Sequence, residues 1–294
     1  DYVDAYYNMG NILQEQGKLE EAVEAYNKAL AIKPDLAAAH YNMGKVLQEQ
    51  GKLEEAIKAF KGVIEIKPNY PEAFNNIGLA LQEQGYMEDA IEFYTKAITL
   101  KQDYAEAYYN MGNIFRNLGR LKEAIQAYHK ALAIKPEYVE AYNNIGITLK
   151  DQGRNKGAIE AYKNALKIKP NYAETHFNMG NVCRDQGELE EAIEAYQKAV
   201  AIIPDYAEAH LNLSFAFLNS GRLKEGLDEY EWRWTTAKFS SENRYFPNRY
   251  FSQPLWDGKQ SLRNKRILAW CEQGIGDTIN WSSCLPFVAS QAEN

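Results

Sequence analysis

No stretch of the 294 residues approaches the roughly 18 consecutive apolar residues of a membrane helix, so a spanning segment is not expected. The opening residues Asp1-Tyr2-Val3-Asp4 have neither the basic nor the apolar part of a signal peptide, and the stretch is expected to carry no address of its own. Cysteine is scarce, with three residues, Cys183, Cys271 and Cys284, at no paired-ligand spacing. That excludes a disulfide scaffold and suits a reducing, cytoplasmic compartment. Excess positive charge is also missing: 33 Lys and Arg stand against 40 Asp and Glu, which argues against a surface built to neutralise phosphates. Residues 1–238 hold 27 basic and 35 acidic side chains, so the acidity belongs to that part. With 46% hydrophobic and 25% charged residues the chain is otherwise of ordinary globular composition, which excludes disorder and collagen.

What is present is a period. Gly17-Lys18-Leu19-Glu20-Glu21-Ala22 recurs from Gly51 and, more loosely, from Gly85, Gly119, Gly153, Gly187 and Gly221, always 34 residues on. Pro34, Pro68, Pro136, Pro170 and Pro204 keep the same spacing, with Gln102 as the exception. Seven units run from Val3 to about residue 238. In the first, Tyr6, Met9, Gly10 and Leu13 share one helical face, and Gly17 stops that helix. Glu20 and Glu21 suit the positive end of a second helix, on which Ala22, Tyr26 and Ala29 form the apolar stripe until Pro34 ends it. A helical hairpin this short cannot enclose a core alone. Neighbours must stack, Gly10 and Ala22 allowing close approach while Tyr26 fills the gap.

These small, aromatic and proline positions resemble the tetratricopeptide repeat. The resemblance covers about four-fifths of the chain and implies an all-α fold, a right-handed superhelix of seven helix-turn-helix repeats, whose first helices line a concave surface. Asp1-Tyr2 matches Asp103-Tyr104 and Asp205-Tyr206, the last residues of other units, so further repeats are expected upstream. The seventh unit departs from the pattern at Ser214, Gly226, Arg233 and Lys238, as expected of a terminal repeat.

The helical wheel puts Asn8 opposite the stripe of Tyr6, and Asn42, Asn76, Asn110, Asn144, Asn178 and Asn212 occupy the same slot. Asparagine is a poor helix former, so its presence in every unit points to a task other than helix formation. A carboxamide both donates and accepts, and a file of them can pair with the backbone of an extended peptide whatever its sequence. Asn11, Asn113 and Asn181 join them from a neighbouring slot, which elsewhere holds Lys45, Leu79, Ile147 and Phe215. The pattern is similar to the asparagine ladder of O-linked N-acetylglucosamine transferases, which implies an extended polypeptide partner. The alternative is that the asparagines bond between neighbouring helices, and that the protein is a self-assembling scaffold, a homo-oligomer.

An acidic row, Asp4, Glu72, Glu106, Glu140, Glu174 and Glu208, favours a basic partner segment or is simply a solvated face. His40, His176 and His210 fall in the slot of Tyr6, too far apart to share a metal, and Cys183 falls in the inward slot of Leu13.

Periodicity stops after Trp234. Residues 239–264 read as an aromatic linker, and residues 265–294 as a strand, a glycine turn at Gly274 and Gly276, and a helix from about Thr278, a short Rossmann-like α/β fragment. Trp256 and the segment Glu272-Gln273-Gly274-Ile275-Gly276-Asp277-Thr278 resemble the opening of the heptosyltransferase-like glycosyltransferase domain that follows tetratricopeptide arrays in many bacterial proteins. That resemblance implies a nucleotide-sugar cofactor in a full-length parent only, with Gly274 and Gly276 as its ligand loop and Asp277 as general base. Asp277 as a plain helix cap is the alternative. A single strand cannot form a sheet, so catalysis is not expected of residues 1–294 themselves.

Overall fold

A computed structural model describes residues 2–235, and all of them lie in one compact unit. Among the described residues there are fourteen α-helices, followed by a 3₁₀ turn, Glu231–Thr235. The helices pair into seven antiparallel hairpins: α1 (Tyr2–Glu15) with α2 (Leu19–Ile32), α3 (Ala37–Glu49) with α4 (Leu53–Ile66), and α5 (Pro71–Glu83) with α6 (Met87–Leu100). The series continues with α7 (Ala105–Asn117) and α8 (Leu121–Ile134), α9 (Val139–Asp151) and α10 (Asn155–Ile168), α11 (Ala173–Asp185) and α12 (Leu189–Ile202), and α13 (Ala207–Asn219) and α14 (Leu223–Tyr230).

Each first helix stops by the same device. Gly17 takes φ +72°, its N–H bonds Gln14 O at 2.9 Å, and the N–H of Lys18 reaches back to Leu13 O at 2.9 Å. This is a Schellman closure, and it requires a left-handed residue that glycine adopts without strain. The second helices of the first six hairpins end with the N–H of Lys33, or of its counterpart, on a carbonyl four residues earlier. Helix α6 ends in register with the others, Lys101 N–H on Ala97 O, although Gln102 stands where the other units have proline. Proline therefore reinforces a boundary that the return of the chain to the next hairpin already sets.

Within a hairpin the contact is as close as the sequence implied. A Cβ on Gly10 would lie 2.5 Å from Cε1 of Tyr26, whose ring is fully buried beside Ala22, Ala25 and Ala29. The same glycine-under-ring contact recurs at Gly44 with Phe60 and, in the remaining units up to the sixth, with a tyrosine. The seventh unit exchanges the two sizes. Ser214 replaces the glycine, Gly226 replaces the facing alanine, and Ser214 Oγ donates to Gly226 O at 2.7 Å. The expected decay of this unit is thus, at these two positions, a compensated swap.

Each second helix packs on the first helix of the next hairpin. First helices of successive hairpins also touch, α1 with α3 and so on to α11 with α13, whereas successive second helices make no such contact. Closer spacing on one side curves the stack toward the first helices, which places α1, α3 and their successors on its inner surface.

Candidate functional site

The asparagine slot lies on that inner layer, and its geometry differs from the helical-wheel expectation. Asn8 is exposed, but Asn42, Asn76, Asn110, Asn144, Asn178 and Asn212 are half-buried. The wheel treats one helix in isolation, and stacking lays the preceding first helix against the flank that carries the carboxamide.

There each Nδ2 donates to the preceding repeat. Asn42 bonds Tyr7 Oη at 3.1 Å and Asn11 Oδ1 at 2.9 Å, and Asn144 bonds Tyr109 Oη at 3.1 Å and Asn113 Oδ1 at 2.8 Å. Asn76 donates to Tyr41 Oη at 3.2 Å. Asn110 and Asn178 donate to Asn75 Oδ1 and Asn143 Oδ1, both at 3.2 Å, and Asn212 donates to Asn181 Oδ1 at 2.8 Å. The acceptor comes from one or both of two slots, and the sequence compensates. Where the second slot is apolar, at Leu79 and Ile147, the first holds Asn75 or Asn143. Where the first holds Phe177, the second holds Asn181. Every repeat from the first to the sixth thus offers the following one an acceptor.

The second asparagine slot is tied from beneath as well. Tyr26, Tyr128 and Tyr196 donate their hydroxyls to Asn11, Asn113 and Asn181 Oδ1, each at 2.8 Å. In the second repeat the slot carries Lys45, which has no acceptor, and the buried ring below it is Phe60, which has no hydroxyl. Tyr94 turns to Gln82 Oε1 at 3.0 Å, whereas the hydroxyl of Tyr162, facing the repeat with Ile147, is buried without a partner.

Asn76 uses both ends, its Oδ1 accepting from Asn75 Nδ2 at 3.4 Å, but for the other ladder asparagines from Asn42 on, and for the second-slot asparagines, these bonds use one end of the carboxamide. The ladder asparagines spend their donors and the second-slot asparagines spend their acceptors. Among the described residues, Oδ1 of Asn42, Asn144 and Asn212 and Nδ2 of Asn11, Asn113 and Asn181 make no other side-chain bond. Acceptor and donor therefore sit side by side along the inner layer. Burial pushes the phenols of this column up, Tyr26 to about 12, with Tyr7 adding to the effect.

Buried Asn143 has the fullest set of partners. Its Oδ1 accepts from Thr175 Oγ1 at 3.0 Å as well as from Asn178, and its Nδ2 donates to Glu174 Oε1 at 3.1 Å. Of the acidic row, Asp4, Glu106, Glu140, Glu174 and Glu208 are exposed, and Glu72 is half-buried with Lys101 Nζ 3.6 Å away.

The remaining candidates have structural partners. His40, His176 and His210 each place Nε2 at 2.9 Å from the carbonyl of Pro34, Pro170 or Pro204, holding the turn between repeats. His210 adds a 2.5 Å contact to Glu229 and stacks on Trp232. Cys183 is buried, and burial pushes its thiol up, away from nucleophilic character. Gly274, Gly276 and Asp277, with the linker and the α/β fragment, lie outside the described residues. The inter-repeat acceptors Asn75 and Asn143 were not singled out for a site by sequence reasoning. Their signal was the reciprocal variation of two slots among the units.

The family model described as the cilia and flagella-associated protein 70 C-terminal domain matches residues 2–200, and a tetratricopeptide repeat model matches residues 180–221. No curated protein is matched. Among solved structures, the protein MamA is 29% identical with a TM-score of 0.52, over 55% of this chain and 94% of its own. A tetratricopeptide repeat protein from Parabacteroides merdae is 18% identical with a TM-score of 0.64, over 82% of this chain and 93% of its own. YrrB, described as a tetratricopeptide protein with an unusual peptide-binding site, is 22% identical with a TM-score of 0.51, over 64% of this chain and 96% of its own.

Proposed function

This chain belongs to the tetratricopeptide family described as the cilia and flagella-associated protein 70 C-terminal domain, and we propose that it holds extended polypeptide along its inner, asparagine-lined layer. The array itself is a non-catalytic scaffold for protein interaction. The observation that carries the finer reading is the pairing of unspent groups. In the first and second, fourth and fifth, and sixth and seventh repeats, a ladder Oδ1 accompanies a second-slot Nδ2. An extended backbone offers the complementary N–H and C=O at every residue. At about 0.5–1.5 kcal/mol net per bond, several such contacts support weak to micromolar binding once peptide ordering is subtracted. YrrB, whose description names a peptide-binding site, supports the reading by fold likeness.

The resemblance of residues 256–278 to a glycosyltransferase opening supports a second part of the proposal, in which the scaffold presents polypeptide to a sugar-transfer domain. There a nucleotide sugar would be the donor and Asp277 the base on the acceptor hydroxyl. This part rests on the amino-acid sequence.

The test leaves the protein unaltered. Fluorescent, unstructured peptides are titrated against the 294-residue chain, each beside a copy with alternate backbone nitrogens methylated. Peptides gripped through N–H on Oδ1 lose roughly tenfold in affinity on methylation, the equivalent of one or two hydrogen bonds. Equal binding of the two forms would remove the asparagines from the grip. No peptide binding, together with a mass that rises with concentration, would put self-assembly in its place.

A further inference from the structure

From the second repeat to the sixth the inner layer has a second period, of 68 residues rather than 34, which Tyr7 of the first repeat does not follow. Tyr41, Tyr109 and Phe177 share one slot in alternate repeats, with Asn75 and Asn143 between them. Each of the three rings packs on the tyrosine that closes its own repeat, just before the next first helix: Tyr41 on Tyr70 at 5.3 Å between centroids, Tyr109 on Tyr138 at 4.8 Å, and Phe177 on Tyr206 at 5.1 Å.

The acidic row runs beside these pairs. Glu72 and Glu106 raise the Tyr41 phenol through their charge, after burial, and Glu174 and Glu208 do the same to Tyr206. Glu106, Glu140 and Glu208 enter no ion pair among the described residues. A paired aromatic surface within the field of two carboxylates is suited to a cation, which gains from the ring face and from the charge together.

The chain already uses these tyrosines that way. Lys101, Lys135 and Lys169 lie over Tyr104, Tyr138 and Tyr172, with Nζ 4.9, 4.4 and 4.8 Å from the ring centroids. The middle pair is therefore occupied by Lys135. At Tyr206 the corresponding residue is Ile203, which has no charge, and Lys67 makes no such contact with Tyr70. Two aromatic pairs are left with no cation over their rings: Tyr41–Tyr70 beside Glu106, the neighbouring Glu72 being held by Lys101 at 3.6 Å, and Phe177–Tyr206 beside Glu208.

Resting on the reading of the inner layer as a polypeptide track, we propose that the pairs Tyr41–Tyr70 and Phe177–Tyr206, with Glu106 and Glu208 beside them, seat two Lys or Arg side chains of one extended, basic polypeptide. The two cradles are four repeats apart. With neighbouring first helices about 8–10 Å apart, the gap is roughly 32–40 Å, which an extended chain covers in about 10–12 residues at ~3.3 Å each. The partner is thus a segment whose cationic residues recur at that interval, held between them by its backbone.

The test is a peptide series of fixed composition in which two arginines are moved from 3 to 15 residues apart on a neutral, unstructured background, titrated against the full chain. Affinity is expected to peak at a spacing near 10–12 and to exceed that of a one-arginine peptide about tenfold. Glu208→Gln and Glu106→Gln, at exposed positions without ion partners, are expected to weaken the best peptide roughly three- to tenfold and to flatten the dependence on spacing. Affinity that follows total charge at every spacing, or that is unchanged in both variants, would overturn the proposal. Neutral peptides that bind and respond to backbone methylation, with no spacing preference in the arginine series, would overturn the cradles alone. Absence of binding by any peptide would overturn the underlying track as well.

Discussion

Removing the carboxamide of Asn144 separates a structural staple from a pure ligand group. In the folded chain its Nδ2 donates to Tyr109 Oη at 3.1 Å and to Asn113 Oδ1 at 2.8 Å, across the junction of the fourth and fifth repeats. Two such bonds contribute about 1–3 kcal/mol at ~0.5–1.5 each. Alanine recovers about 0.5 kcal/mol through its better helix propensity. Asn144→Ala is therefore expected to cost about 0.5–2.5 kcal/mol. Asn178→Ala, which loses one 3.2 Å bond to Asn143, is expected to cost about 0–1 kcal/mol. Repeat arrays unfold by coupled neighbours rather than as a single unit. The suitable assay is denaturant-dependent hydrogen exchange resolved by helix, with the effect concentrated at α7–α10. A double-mutant cycle of Asn144→Ala with Tyr109→Phe isolates the Oη bond, and about 0.5–1.5 kcal/mol of coupling is expected. Zero coupling, with Asn144→Ala as stable as the parent, would refute the staple. The same reasoning means that peptide affinities of alanine-substituted ladders are interpretable only beside their stabilities.

Two further outcomes follow from the packing. Gly146→Ala brings a Cβ to 2.3 Å from Cε1 of fully buried Tyr162 and is expected to destabilise by about 1–3 kcal/mol, although alanine is the better helix former. Gly157→Ala, whose Cβ would meet only the end of the Leu149 side chain at 3.3 Å, is expected to be neutral or stabilising in the same thermal melts, and equal effects would contradict the contact. Stability is also expected to fall above pH 10. Burial raises the phenol of Tyr26 from 10.0 to about 12 and raises those of Tyr94, Tyr128, Tyr162 and Tyr196 as well. The unfolded chain then loses protons that the native chain keeps, so stability present below pH 10 is lost as pH rises through the folded values. Tyrosinate absorbance that lags in the native protein and jumps on unfolding at pH 11 would show it, whereas simple titration near pH 10 would not.

The amino-acid sequence by itself determined the repeat, because a 34-residue period of glycine, alanine, tyrosine and proline records contacts that each unit makes with its neighbours. Helix ends were legible for the same reason: Gly17 and its six counterparts occupy positions where only a left-handed backbone closes the helix. The small-to-large contact of Gly10 under Tyr26 could also be inferred, since the volumes complement one another within a single hairpin. What tertiary structure decided was the fate of the asparagines. A helical wheel knows the flank of one helix and nothing of the helix beside it, so it placed Asn42 and Asn144 in solvent. Stacking turned the same flank into a junction where their Nδ2 groups are spent on Tyr7, Asn11, Tyr109 and Asn113. Which end of each carboxamide remains for a partner depends on atoms 31 or 35 residues apart in the chain, and the aromatic pairs join rings 29 residues apart. Local periodicity carries no information on such distances until the hairpins are stacked.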